Sequence, residues 1–417
     1  MPVRGRGRLG RRAGYLAVAV VSVVALVAVG LGWGPWRWQS EEDATPADTP
    51  SSVGPTSCTN SDGSPCPASY FTGPLGANNV LPTRTGALLI EQYGGIGTSW
   101  PRKQAGISER QRSTGRGFDG IQVQYGGSTA WGGIRGMEDP TQMRPPQERW
   151  AIDNGASFVA VSWTPDFTIG EMNSGAADPI WAKAANYWKT YAPTRIMLRS
   201  FVEFNVPQTA GAVPGVENGD ADYCGAPFRD AWRRMVDVFQ KNGASNVGFW
   251  FTPDEGNNRQ CVKDSYPGDR YVDWVGSDTY NECAVADQSC YATPLHPGWS
   301  TFGELFDYRG ECADGACPRS QYDLFGPRKP FVVGETGTVY DWANPSRKGD
   351  FYRSMVTAAK SMKYLRGVSL FDQNVSAAEG ADSNWLVDMP TSNPSVYDGF
   401  KQLARDPWFN TRTRASN

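Results

Sequence analysis

Eight short apolar runs recur along this chain beyond about residue 85, and they constrain its fold more than any other feature. They are "ALLIEQYGG" (87–95), "FDGIQVQYGG" (118–127), "SFVAVSWTP" (157–165), "RIMLRSFVEFN" (195–205), "VGFWFTPDE" (247–255), "VDWVGSDTYN" (272–281), "PFVVGETGT" (330–338) and "GVSLFDQN" (367–374). Runs this continuous suit strands buried on both faces, as happens when helices cover a parallel sheet. Helical patterns fall between them at 141–155, 179–191, 227–242 and 347–363. In the third, Phe228, Trp232, Met235, Val236 and Phe239 recur at three- and four-residue steps on one face. The helices after the first and fifth runs are weakly written. Eight strands alternating with helices predict an α/β chain closed into a (β/α)8 TIM barrel over residues 85–417, not an open sheet.

Such a barrel carries its active site at the C-terminal ends of its strands. Several runs end in groups able to do chemistry: Glu91, Trp163, Glu203, Asp254, Asp278, Tyr280, Glu335 and Asp372. Glu203 closes the fourth run and Glu335 the seventh. Side chains alternate along a strand, so Phe201 and Glu203 are expected on one face, as are Val333 and Glu335, with both acids pointing into the mouth of the barrel.

Other chemistries are poorly supplied. His296 is the only histidine, in the loop "TPLHPGW", far from any serine in a nucleophile-elbow setting, and it leaves few partners for a typical metal site. No metal or other cofactor is expected. Two carboxyl groups suffice for retaining glycoside hydrolysis, in which one attacks the anomeric carbon and the other protonates the leaving oxygen. A net charge of −3 provides no basic field for phosphates, so nucleic acid is not an expected partner. Aromatic residues make up 12% of the chain, rich in the flat faces that stack on sugars or fill large cores. Trp163, Trp250, Trp274 and Trp299 are candidates for either use, with Trp250 and Trp274 reading as core. The glycine-rich "YGGIG" and "YGGSTAWGG" lack the spacing of a phosphate-binding loop.

The N-terminal segment has a different character. Arg4, Arg6, Arg8, Arg11 and Arg12 precede the apolar run of residues 15–33, and acidic residues follow it, which puts the rest of the chain outside the cytoplasm. The run is long enough for a single-pass membrane anchor, while Ala28-Val29-Gly30 offers a small-x-small site at which a signal peptide could be cut. Residues 1–38 are thus a basic tail with a signal-anchor or signal peptide, and 39–84 a flexible linker and N-terminal extension, with 39–57 rich in Pro, Ser, Thr and acids. The expected location is the outer face of a bacterial cell membrane, or the medium. Eight cysteines in an exported chain favour disulfides, and spacing suggests Cys58–Cys66, Cys224–Cys261, Cys283–Cys290 and Cys312–Cys317 among many possible pairings.

These residues carry a resemblance to glycoside hydrolase family 26, the β-mannanase and related β-glycanase family of the retaining (β/α)8 clan. "SYPGDRYVDWVGSDTYN" (265–281) is very similar to the stretch typical of that family before and along its sixth strand. "KPFVVGETGT" resembles its nucleophile strand, "SFVAVSWTPD" its third strand and "RIMLRSFVEFN" its acid/base strand; "SLFDQN", "DSNWLVD" and "FKQLARDPWF" resemble its eighth strand and closing helix. The resemblance implies Glu203 as acid/base and Glu335 as nucleophile, Tyr280 near the nucleophile, and Trp163, Asn205 and Trp385 lining the sugar sites; Asp278 and Tyr280, at the end of the sixth run, are also expected to bind substrate. Two departures stand out. Val202 occupies the position where the family usually has His, and "VPQTAGAVPGVENGDADYC" replaces a run commonly rich in Trp. The expected protein is a monomeric retaining endo-β-glycoside hydrolase of extracellular β-mannan, glucomannan or β-glucan. The alternative is a barrel that binds cell-envelope polysaccharide without cutting it.

Overall fold

The computed structural model describes residues 81, 86–94, 99–125, 127–128, 134–135, 147–163, 167–206, 224–256, 259–281, 299–307, 320–342, 344–374 and 384–409. The predicted membrane or signal segment, the linker, His296 and three of the four suggested cysteine pairs lie outside these residues. Among them, no helix is long and apolar enough to cross a membrane.

All eight apolar runs form strands, and their pairing closes a ring. They are β1 (Leu88–Gly94), β2 (Gly120–Gln124), β3 (Phe158–Ser162), β4 (Arg195–Arg199), β5 (Val247–Phe251), β6 in two pieces (Trp274–Val275 and Asp278–Asn281), β7 (Phe331–Thr338) and β8 (Leu365–Gln373). Each pairs in parallel with the next, and β8 pairs with β1 over seven residues from Leu88 opposite Gly367 to Gly94 opposite Gln373. The predicted (β/α)8 barrel is therefore the observed fold.

Strand alternation sorts the side chains into two apolar layers. Leu88, Ile90, Phe158, Ala160, Met197, Trp250, Trp274 and Val332 fill the inside of the barrel. There Trp274 meets Phe158 and Trp250 edge-on at 5.3 and 5.4 Å, so Trp250 and Trp274 are core, as read from the sequence. Leu89, Val159, Val161, Ile196, Leu198 and Phe249 belong to the larger apolar layer that also includes the buried helix faces.

Five helices matter to the site and its surroundings: α1 (Trp100–Thr114), α2 (Asp178–Lys189), α3 (Ala226–Lys241), α4 (Arg347–Ser361) and α5 (Pro394–Arg405). In α3 the apolar stripe read from the sequence is buried throughout, from Phe228 to Phe239. Helix α1 was weakly written because it buries little: Ile107, Arg110 and Thr114 are its only fully buried positions, and Gly115 at φ 71° ends it in the left-handed conformation that glycine tolerates.

Candidate active site

Arg199, the last residue of β4, shares the inward face of Met197 and is completely buried. A guanidinium in that position needs anionic partners, because an unpaired buried charge is strongly unfavourable. It has two. Its Nη1 donates to Glu335 Oε1 at 2.9 Å and its Nη2 to Asp278 Oδ2 at 2.6 Å. Its Nε donates to Thr252 Oγ1 at 3.1 Å, and the group sits 5.1 Å from the Trp250 ring centroid. Burial works against its charge, but Asp278 and Glu335 more than compensate, raising its pKa above the ordinary arginine value. One cation thus orients two carboxylates from two strands.

Glu335 accepts two further hydrogen bonds. Tyr280 OH donates to Oε2 at 2.5 Å and Gln122 Nε2 to Oε1 at 3.3 Å. Gln122 is itself held by Ser369, whose Oγ donates to Gln122 Oε1 at 2.9 Å. Burial and then the charge of Glu335 keep the Tyr280 hydroxyl well above its usual pKa, so it remains a donor. Its ring is wedged between Phe371 and Trp385, with centroids at 5.5 and 5.0 Å.

Neither acid reaches this region by the simple alternation expected from the sequence. Val333 opposes Val368 on β8 and Thr336 opposes Leu370, so three steps on β7 match two on β8. This one-residue bulge between Val333 and Thr336 breaks the alternation. Val333 stays in the layer under the helices, while Glu335 turns to Arg199 and Gln122.

The fourth run is not a strand through Asn205. It leaves the sheet after Arg199, and residues 202–205 form a turn. The physical cause is the spacing of Phe201 and Phe204, which both pack on Phe228 of α3, at 5.2 and 4.1 Å. Residues three apart meet the same surface on a turn and not on a strand. Phe201 and Glu203 adopt left-handed φ angles of 56° and 50°, unusual for residues other than glycine. Such conformations cost roughly 1–3 kcal/mol each and persist where surrounding contacts over-determine them. Here those contacts are the two phenylalanines, the Glu203 N–H donating to the Thr252 carbonyl at 3.2 Å, and Asn205.

Half-buried Glu203 has its pKa raised well above the carboxylate norm, first by burial and then by the charges of Asp278, Asp254 and Glu335, against the opposing pull of Arg199. Asp278 is raised well above its norm too, by burial, although Arg199 lowers it. The arrangement places an acid disposed to keep its proton in the electrostatic field of a carboxylate that accepts from three donors.

Other expected residues have different positions. Asn205 is fully buried, and its amide clamps the backbone of Asp254, donating to the carbonyl at 2.9 Å and accepting from the N–H at 2.8 Å. It fixes the turn after β4 to the end of β5. Trp163 is fully buried under α2, edge-on to Trp188 at 5.5 Å, because it continues the outward face of Val159 and Val161. Trp385 is only 5% exposed and braces Tyr280 more than it presents a free face. Glu91 and Asp372 lie on the helix side of the barrel wall, where Arg110 of α1 pairs with Asp372 at 2.7 Å. Val202 packs against the outer apolar layer.

Arg199 and Gln122 were missed in the sequence, although each left a signal. Arg199 interrupts an apolar strand at an inward position, and Gln122 does so in "GIQVQ". A polar side chain there has to find partners inside the barrel.

Comparison with known proteins agrees with the resemblance read from the sequence. The family model for Glycosyl hydrolase family 26 matches residues 218–312, which hold Asp278 and Tyr280 but neither Glu203 nor Glu335. Endoglucanase H of Acetivibrio thermocellus is 25% identical over 252 residues; the match covers 58% of this chain but only 24% of that protein. The chain thus spans about a quarter of the length of this relative. Among solved structures, an endo-β-1,4-mannanase double mutant from Cellulomonas fimi superposes with a TM-score of 0.53 at 14% identity, covering 87% of this chain and 79% of that one. A modular endo-β-1,4-mannanase from the same organism gives 0.50 at 14% identity, over 84% and 77%. At such identity the structures share a fold.

Proposed function

We propose that this chain, with its likeness to glycoside hydrolase family 26, is a retaining endo-β-glycoside hydrolase acting on a β-linked polysaccharide outside the cell. The observation that carries the reading is the pair of unlike carboxyl groups: Glu335, held by Arg199, Gln122 and Tyr280, and Glu203, whose pKa burial and neighbouring charge push up. In the first step a Glu335 oxygen bonds to the anomeric carbon as the glycosidic C–O bond breaks, and Glu203 gives its proton to the departing oxygen. In the second, the Glu203 carboxylate takes a proton from water as the water oxygen bonds to the anomeric carbon, and the bond to Glu335 breaks. Arg199 and Tyr280 hold the attacking carboxylate in place throughout, which limits the reorganisation each step requires.

The names of the relatives support glucan or mannan as substrate, and Val202, in place of the histidine usual for the family, argues for a site adjacent to the cleaved bond that differs from that of the mannanases. Export rests on the sequence of residues 1–38, and the enzyme is taken to act as a monomer from the cell surface or free in the medium. Glu335→Ala should lower turnover by several orders of magnitude on whichever of mannan, glucomannan, mixed-linkage β-glucan, cellulose or xylan the wild type cleaves. Glu203→Ala should spare aryl glycosides with activated leaving groups, which need no proton. Wild-type rates in both variants would overturn the assignment, and polysaccharide retention without new reducing ends would favour the non-catalytic alternative.

A further inference from the structure

The chain leaves the C-terminal end of β7, beyond Glu335, through Val339, Tyr340, Asp341 and Trp342. Trp342 is 59% exposed, the one large apolar side chain so exposed among the described residues, and every other described tryptophan is buried or half-buried. A single exposed apolar residue is ordinary in itself. This one is set apart by how firmly it is presented.

Its ring stands edge-on to Tyr340 at 4.9 Å, and the Tyr340 hydroxyl accepts from Asn393 Nδ2 at 3.1 Å, which ties it to the loop leading into α5. Between the two aromatic residues, Asp341 accepts from the Asn344 N–H at 3.0 Å and from Arg347 Nη1 at 2.7 Å, which ties it to the start of α4. The two residues before the indole are therefore anchored by their side chains to the loops at the mouth of the barrel, while the indole remains 59% exposed. An apolar surface ordered in advance loses little freedom when it meets a ligand.

The position is on the side of the barrel where the proposed chemistry occurs. Val339 packs with Trp385, and Trp385 with Tyr280, the donor to Glu335. Apolar contacts thus lead from the carboxylate to the base of the loop. Trp342 is seven residues beyond Glu335, at most roughly 25 Å of extended chain.

We propose that the indole of Trp342, backed by Tyr340, is a stacking platform for a pyranose ring of the polysaccharide, at a subsite removed from the bond being cut. A neutral sugar is the ligand whose chemistry fits: its C–H face is flat, apolar and close in size to one indole, whereas a protein interface needs on the order of 1,000 Å² of complementary surface. The inference rests on the reading of the chain as a glycoside hydrolase and adds where a long substrate is gripped.

The test compares long and short substrates in the full chain. Trp342→Ala should lower kcat/KM on polysaccharide and long oligosaccharides through a raised KM, by about tenfold more than on a short aryl glycoside. Trp342→Phe, which keeps a stacking face, should recover most of the loss. Binding is measured separately in the Glu335→Ala background, where adding Trp342→Ala should weaken retention in polysaccharide affinity gels. Equal effects on long and short substrates, or no effect on either, would overturn the platform while leaving the hydrolase reading intact. If no polysaccharide is cleaved but Trp342→Ala abolishes retention, the platform stands and the catalytic reading fails.

Discussion

Glu203 shows how unequal causes combine at one residue. Burial is the largest influence on its pKa, followed by Asp278, then Asp254, and only then Glu335, its expected partner in catalysis. The sequence singled out Glu335 as the partner of Glu203; the structure puts two aspartates ahead of it. Removing a negative neighbour makes the ionised form less costly, so the pKa must fall. Activity should be bell-shaped in pH, its basic limb reporting loss of the Glu203 proton. Asp254→Asn retains a side-chain oxygen able to accept from the Gly256 N–H, a bond of 2.9 Å in the wild type, and should move that limb to lower pH. Glu335→Gln should lower the Glu203 pKa less, and NMR titration of Glu203 in that inactive variant is the direct measurement. A basic limb unmoved in Asp254→Asn, with Glu203 titrating near the reference value of about 4.3 in both backgrounds, would contradict this account.

Among the elements, the junction of β6 and β7 holds the site together through close backbone approach. A Cβ on Gly334 would lie 2.3 Å from Asp278 Oδ1 and 2.9 Å from Arg199 Nη2. A Cβ on Gly276, between the two pieces of β6, would lie 1.8 Å from the carbonyl oxygen of Val332 on β7. The two glycines should respond differently to the same substitution. Gly334→Ala presses on side chains, so it should leave a folded barrel in which the Arg199–Asp278–Glu335 arrangement is displaced, lowering kcat by roughly 100-fold if the shift approaches 1 Å. Gly276→Ala presses on backbone and should reduce folded yield. Circular dichroism with kinetics separates the two outcomes, and a Gly334→Ala enzyme with wild-type kcat would show that the arrangement tolerates displacement.

This junction also marks where sequence reasoning stopped working. The strands were legible because burial on both faces leaves a nearly continuous apolar run, and the acids because they stand at the ends of such runs. Their orientation was not legible. Alternation assumes an unbroken strand, whereas β7 carries an extra residue before Thr336 and β4 ends at Arg199. The contacts of Asn205 and Trp163 were not legible either: an amide that clamps a backbone and an indole packed under a helix look, in one dimension, the same as ligand-binding groups.

At the scale of the whole molecule, one predicted crosslink is present among the described residues. Cys224, just before α3, is joined to Cys261 across 37 residues. Close by, the Gly225 N–H donates to Ser265 Oγ at 2.8 Å. Replacing both cysteines with serine should cost about 2–4 kcal/mol, mainly by freeing the unfolded chain, and should appear as a lower midpoint of unfolding with activity at low temperature preserved. An unchanged midpoint would mean that the contact at Gly225 already closes this region without the crosslink. Sequence by itself determined the number of strands, their order, the closure into a barrel and the chemical type of the groups at the strand ends, since these follow from hydrophobic periodicity and residue identity. Only the tertiary structure decided which of those groups meet. Arg199, fully buried, draws in Asp278 and Glu335 from distant strands; Phe201 and Phe204 wind the turn that carries Glu203. Such partnerships depend on burial and on distances across the barrel, which a linear pattern does not contain.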